Sequence, residues 1–231
     1  TRSWNGIRSY RSVGSARLAI ASSTPNIPSR SARVVASLPA PEVVSKAFFD
    51  RGWRGIHIEP VPEYAERLRA ARPGDTIIEA AASNEVCTTA LTVFPMTGLS
   101  TADPLVAEIH IDRGVDHQPE PLIVSTVTLA DVAAELAART VHWLKIDVEG
   151  YEFAVLEGAT KSLLSFKPIV MFELNQMTLA LSNKTAGEYI HFAKDHGYKI
   201  FGLEYGYKTD LLAIDSLEQV SLVSDLILLP S

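Results

Sequence analysis

From about residue 41 onward, short apolar runs alternate with amphipathic ones, and this alternation limits the possible folds more than any other feature. RGIHIEP (54–60) sets Ile56 and Ile58 against His57, the period of a strand, and stops at Pro60. PEYAERLRAARPG (62–74) puts Tyr64, Leu68 and Ala71 on one helical face and ends in Pro73-Gly74. DTIIEAAAS (75–83), VCTTALTVFP (86–95), LIVSTVT (122–128) and VHWLKID (141–147) read as strands. LADVAAELAAR (129–139) reads as a helix capped by Thr128, with Asp131 at its third position. PEVVSKAFFDRG (41–52), EFAVLEGATKSLL (152–164) and TAGEYIHFAKDHG (185–197) are further helices, and 96–121 is loop-rich with a short helix near 103–110. PIVMFEL (168–174) is almost continuously apolar, as expected of a strand covered on both faces. The chain closes with three strand-like runs, YKIFGL, KTDLLAI and DLILLP. This order predicts an α/β fold: an open, mainly parallel sheet with helices on both faces and an antiparallel edge.

Length and charge narrow the function classes. The 231 residues suit one large domain, and a net charge of −6 argues against nucleic acid as a partner. No apolar run approaches the ~20 residues that cross a bilayer, so no membrane partner is expected. The single cysteine, Cys87, excludes an internal disulfide and is expected in the core; the cytoplasm is the default location. Charge is uneven: six arginines and no acid before residue 42 put +6 there, which leaves −12 for the remainder. Residues 1–30 are therefore expected to be an atypical Arg- and Ser-rich segment, disordered or resembling an organelle transit segment, ahead of a single domain over 31–231.

Ligands of doubly wound sheets bind at the carboxyl ends of the strands, and three such ends carry chemistry. Glu59 closes GIHIE, where an acid can accept hydrogen bonds from a ribose or cap the next helix. AAASNE (80–85) offers small residues beside which a flat base can lie, or simply a tight turn. HWLKIDVEGYE (142–152) begins as a buried strand and then gathers Asp147, Glu149 and Glu152 around Gly150. Helix capping alone explains Glu149 and Glu152. Asp147 can orient a hydroxyl, take its proton or hold a metal, and Glu173 would face the same cleft. The six histidines show no HxH or HExxH spacing, and there is no GxSxG or Walker A motif.

FFDRGWRGIHIEPVPEYAERLRAARP, AAASNE, TGLST (97–101) and LKIDVEGYEFAVLEGA (144–159) together resemble the FkbM family of S-adenosylmethionine-dependent methyltransferases, over residues 41–230. The resemblance implies a Rossmann-like class I methyltransferase fold with a seven-stranded sheet and an antiparallel last hairpin. It implies S-adenosylmethionine as cofactor and methyl transfer to a hydroxyl of a sugar or small metabolite. Glu59, with Pro60 after it, would hold the ribose. Ala82, Ser83 and Asn84 would border the adenine, while Asp147, Glu149 and Glu173 would face the acceptor. No metal is called for.

One departure stands out. The family's D-V-G-A turn after its first strand falls here on Arg33, Val34, Val35 and Ala36. Val35 replaces a glycine that the sharp turn at the cofactor's methionine end needs, and Arg33 brings positive charge toward a cation. Residues 1 to about 36 are therefore expected to be an aberrant amino terminus on an intact remainder. A catalytically impaired relic or binding protein is the competing reading. A nicotinamide-dependent dehydrogenase is a third, weakened by the missing GxGxxG.

Overall fold

The computed structural model describes residues 17–20, 44–95, 97, 99–115, 119–136, 140–175, 179, 184–204, 210–215 and 223–231. Among these, eight strands form one sheet in the order β10-β9-β11-β8-β7-β1-β2-β3. They are β1 (Arg17–Ile20), β2 (Ile56–Ile58), β3 (Thr76–Ile78), β7 (Trp143–Asp147), β8 (Ile169–Asn175), β9 (Tyr198–Glu204), β10 (Asp210–Ala213) and β11 (Val223–Pro230). A second sheet orders β4 (Ala81–Ala82), β6 (Glu120–Val127) and β5 (Thr88–Val93) as β4-β6-β5. The helices are α1 (Val44–Phe49), α2 (Pro62–Ala71), α3 (Pro104–Asp112), α4 (Leu129–Glu135), α5 (Glu152–Phe166) and α6 (Ala186–Asp195).

The expected seven-stranded, mainly parallel sheet is not what forms. Only β2–β3 and β7–β8 pair in parallel within the large sheet. The difference has two sources. β1 lies between β2 and β7 and runs against both, with Leu18 opposite Ile58 and Ile146. At the other end β11 runs against both β8 and β9, and β10 turns back on β9, the antiparallel edge that the closing run of strands predicts. The run 75–83 also divides. Thr76–Ile78 joins the large sheet, and Ala81–Ala82 crosses to pair with Thr126–Val127 of β6.

The core lies where apolar faces meet. Ile146, Phe172, Val170 and Leu144 on β7 and β8 are essentially inaccessible, as are Val155, Leu156, Ala159 and Leu163 on α5. Burial at ~25 cal/mol per Å2 of apolar surface makes this contact a main source of stability. α5 ends at Lys167 in the left-handed conformation, φ 48°, with its N–H returned to Leu163. Local signals hold at helix starts: Thr128 accepts from the Asp131 N–H, and Thr185 with Glu188 forms a reciprocal capping box on α6.

Candidate active site

β7 leads into the site. Leu144 and Ile146 point into the core, so Lys145 and Asp147 share the other face. The Ile146–Phe172 pair places Asp147 and Glu173 next along their neighbouring strands, and Glu173 is directly opposite Asp225 of β11. Three acids thus form a row across three strands at the carboxyl edge of β7 and β8. Lys145 sits one step below, its Nζ 3.6 Å from Asp147 Oδ2 and 4.0 Å from Asp225 Oδ1.

The turn after β7 is held from both sides. Glu149 has φ 50° and Gly150 φ 105°. A left-handed glutamate costs ~1–2 kcal/mol, and such strain persists only where the surroundings impose it. Here Thr101 Oγ1 donates to the Glu149 carbonyl at 2.8 Å, from the quoted TGLST segment. Glu152, the first residue of α5, accepts from the N–H groups of Val148 and Gly150 at 3.1 to 3.2 Å. Glu152 is buried and shapes the turn, the supporting role its position at a helix start suggests.

Crowding of carboxylates changes their protonation. Burial, then the charge of Asp147, pushes Glu173 from 4.5 up to about 7. Burial takes Glu152 to about 7 as well, against the pull of its backbone hydrogen bonds. Glu149 is raised well above the ordinary carboxylate value by burial, then by Asp147 and Glu173. Burial alone would lower the Lys145 ammonium, but Asp147, Asp225, Glu173 and Glu152 together raise it. Such shifts gather at functional sites, and here they coincide with backbone strain.

Beside the turn after β7 lies a cleft of about 100 Å3, partly open to solvent. Ala81, Ala82, Ser83, Asn84 and Glu85 form one wall, and Val148 and Tyr151, on either side of Glu149, form another. A second opening shares Asn84 and Tyr151 and extends to Asp103, Glu157 and Lys184. The structure therefore brings Ala82, Ser83 and Asn84 to the cleft, while Asp147, Glu149 and Glu173 are not among its lining residues. Glu59 and Pro60 are buried at the carboxyl end of β2, separated from β7 by β1 alone. Glu59 Oε1 accepts from the Val61 N–H at 3.0 Å, a bond within the turn before α2, whose start at Val61 has no side-chain cap. Val35 and Ala36, with the rest of the 33–36 turn, lie outside the described residues.

Sequence reasoning missed several contributors. Lys145 was legible as the i−2 neighbour of Asp147 on the same strand face, and Thr101 sat unused in TGLST. Asp225 had no local signal, since only the β8–β11 register brings it in. Cys87 is a correction: it is exposed and lines the cleft, because the strand begins after it and its chain bends toward Thr126. Thr126 Oγ1 lies 3.3 Å from its Sγ and accepts from its N–H at 2.7 Å. Among the described residues no group of three or more His, Cys, Asp or Glu is arranged to hold a metal ion, and no helix is long and apolar enough to cross a membrane.

In α/β sheets the crevice at the carboxyl ends of the strands is where ligands bind. Comparison with known proteins narrows the class: the methyltransferase FkbM domain matches residues 36–200, more than half of the chain, and the chain belongs to that family of methyltransferases. No curated protein sequence matches it. Among solved structures, the methyltransferase FkbM from Methylobacillus flagellatus KT is similar at 16% identity and a TM-score of 0.38. The match covers 74% of this chain, which spans 35% of the length of that one.

Proposed function

We propose that this chain transfers a methyl group from S-adenosylmethionine to a hydroxyl of a sugar or small metabolite. The observation that carries the reading is Asp147, partly exposed at the carboxyl end of β7, whose next residue, Val148, lines the cleft with Ala81 and Ala82. The adenosine end of the cofactor suits the residues present. Ala81 and Ala82 leave a flat wall with no side chain beyond Cβ, and Ser83 and Asn84 supply polar edges; Glu59, buried and bonded to the Val61 N–H, is assigned to the ribose by family resemblance. Val35 and Ala36 are assigned to the methionine end by family resemblance.

When bound, the cofactor supplies an activated methyl group, so the protein's own task is alignment and proton handling. Asp147 orients the acceptor hydroxyl and takes its proton on a carboxylate oxygen. Lys145, 3.6 Å from that carboxylate, compensates its charge and holds it in place. Glu149 and Glu173, with raised proton affinities, keep the site from accumulating more negative charge than a cation can balance.

A second reading, a catalytically impaired relic or binding protein, is favoured by one observation. β1 runs opposite to β2 and β7, so its last residue, Ile20, lies beside Ile56 and Leu144 rather than at the carboxyl ends of those strands. Calorimetric titration of S-adenosylmethionine and S-adenosylhomocysteine separates the readings. Micromolar binding is the expected result. Binding only after Arg33→Asp with Val35→Gly would support the relic, and no binding by either form would remove the cofactor assignment.

A further inference from the structure

α5 touches both walls of the cleft. At its first residue Glu152 holds the 148–150 turn. Six residues on, ~9 Å along the axis, it reaches the 83–84 loop. Asn84 Nδ2 donates to Glu157 Oε2 at 3.1 Å. Beside it, a Cβ on Gly158 would lie 2.1 Å from the Ser83 carbonyl oxygen and 2.9 Å from Asn84 Cα. No side chain fits there, and the obstacle is backbone, which cannot rotate away. The helix lies so close to the loop only because residue 158 has no Cβ, and the adjacent glutamate fastens the loop by its side chain.

We propose that Glu157 and Gly158 are positioning residues that set the 83–84 loop against the base of the cofactor and keep it in register with the 147–150 turn. This rests on the proposed function above. One helix then fixes the distance between the wall that borders the base and the turn that carries the acid. Any residue larger than glycine at 158 pushes the two apart.

The test compares the parent chain with Gly158→Ala, Glu157→Leu and Glu157→Gln. Calorimetry measures S-adenosylhomocysteine and its N6-methyl analogue, and alkylation of Cys87, three residues beyond Asn84, measures loop position without any cofactor. Gly158→Ala is expected to weaken S-adenosylhomocysteine by about tenfold or more and to change its preference over the analogue. Its Cys87 alkylation rate shifts in the same experiment. Glu157→Leu does the same more weakly and serves if Gly158→Ala fails to fold. Glu157→Gln stays near the parent, since its carbonyl still accepts from Asn84. An unchanged preference and an unchanged thiol rate in both Gly158→Ala and Glu157→Leu would overturn the proposal, as would equal weakening of both ligands at a constant thiol rate. If neither the parent nor the Arg33→Asp, Val35→Gly form binds either ligand, the cofactor reading fails and takes the role toward the base with it. The thiol rate then still distinguishes a loop held by α5 from one that is not.

Discussion

Asp147 and Lys145 stand two residues apart on one strand face, and their pairing explains why so acidic an edge is tolerated. Asp147→Asn keeps the shape of the side chain and removes its capacity to accept a proton. Turnover is expected to fall by at least ~100-fold with little change in melting temperature, and retained full activity would take Asp147 out of the mechanism. Glu173 gives a second prediction. In the fold its carboxyl titrates at about 7 rather than 4.5, through burial first and then Asp147. Between those values the folded chain holds a proton that the unfolded chain has released. Its contribution to stability is therefore greatest below pH 4.5 and is lost as pH rises through about 7. Glu173→Gln should be more stable than the parent above that range, by ~2 kcal/mol, and equal to it in acid, as urea midpoints at the two extremes would show. Glu152 retains the same trend in both chains. At this scale the acids were legible, because charged residues ending apolar strands stand out. Asp225 was not, because its neighbour Glu173 is some 50 residues away in sequence.

Among the elements, the meeting of β4, β6 and the 83–87 loop shows how a site wall is tied down by one hydroxyl. Thr126 on β6 is buried, donates its hydroxyl to the Glu85 carbonyl at 2.7 Å and accepts from the Cys87 N–H at 2.7 Å. Thr126→Val preserves shape and strands both backbone partners. A loss of ~2–4 kcal/mol is expected, together with faster alkylation of Cys87 as the loop loosens. Unchanged thiol kinetics would mean that β4 holds the loop by itself. The helices and most strands could be read from periodicity and caps, as Thr128 and Thr185 illustrate. The break of 75–83 into two strands could not, since Ala81–Ala82 leave the large sheet only because β6 is there to receive them.

For the whole molecule the decisive feature is the slot between β2 and β7. β1 fills it antiparallel and pairs on both sides, with Ala19 between His57 and Lys145. Proline at a central strand position removes a ladder donor, so Ala19→Pro should cost ~3 kcal/mol and lower the melting temperature by several degrees. A variant as stable as the parent would show that β1 is dispensable to the sheet. The sequence by itself determined the family, the α/β class, the antiparallel carboxyl-terminal edge and the acids at the strand ends, because these follow from local periodicity and short motifs. Only the tertiary structure decided the direction of the strand in that slot, the row of Asp147, Glu173 and Asp225 around Lys145, and the contact of Gly158 with Ser83. Each depends on strand register or on helix-to-loop distance, which are set by segments far apart in the chain that no local pattern connects.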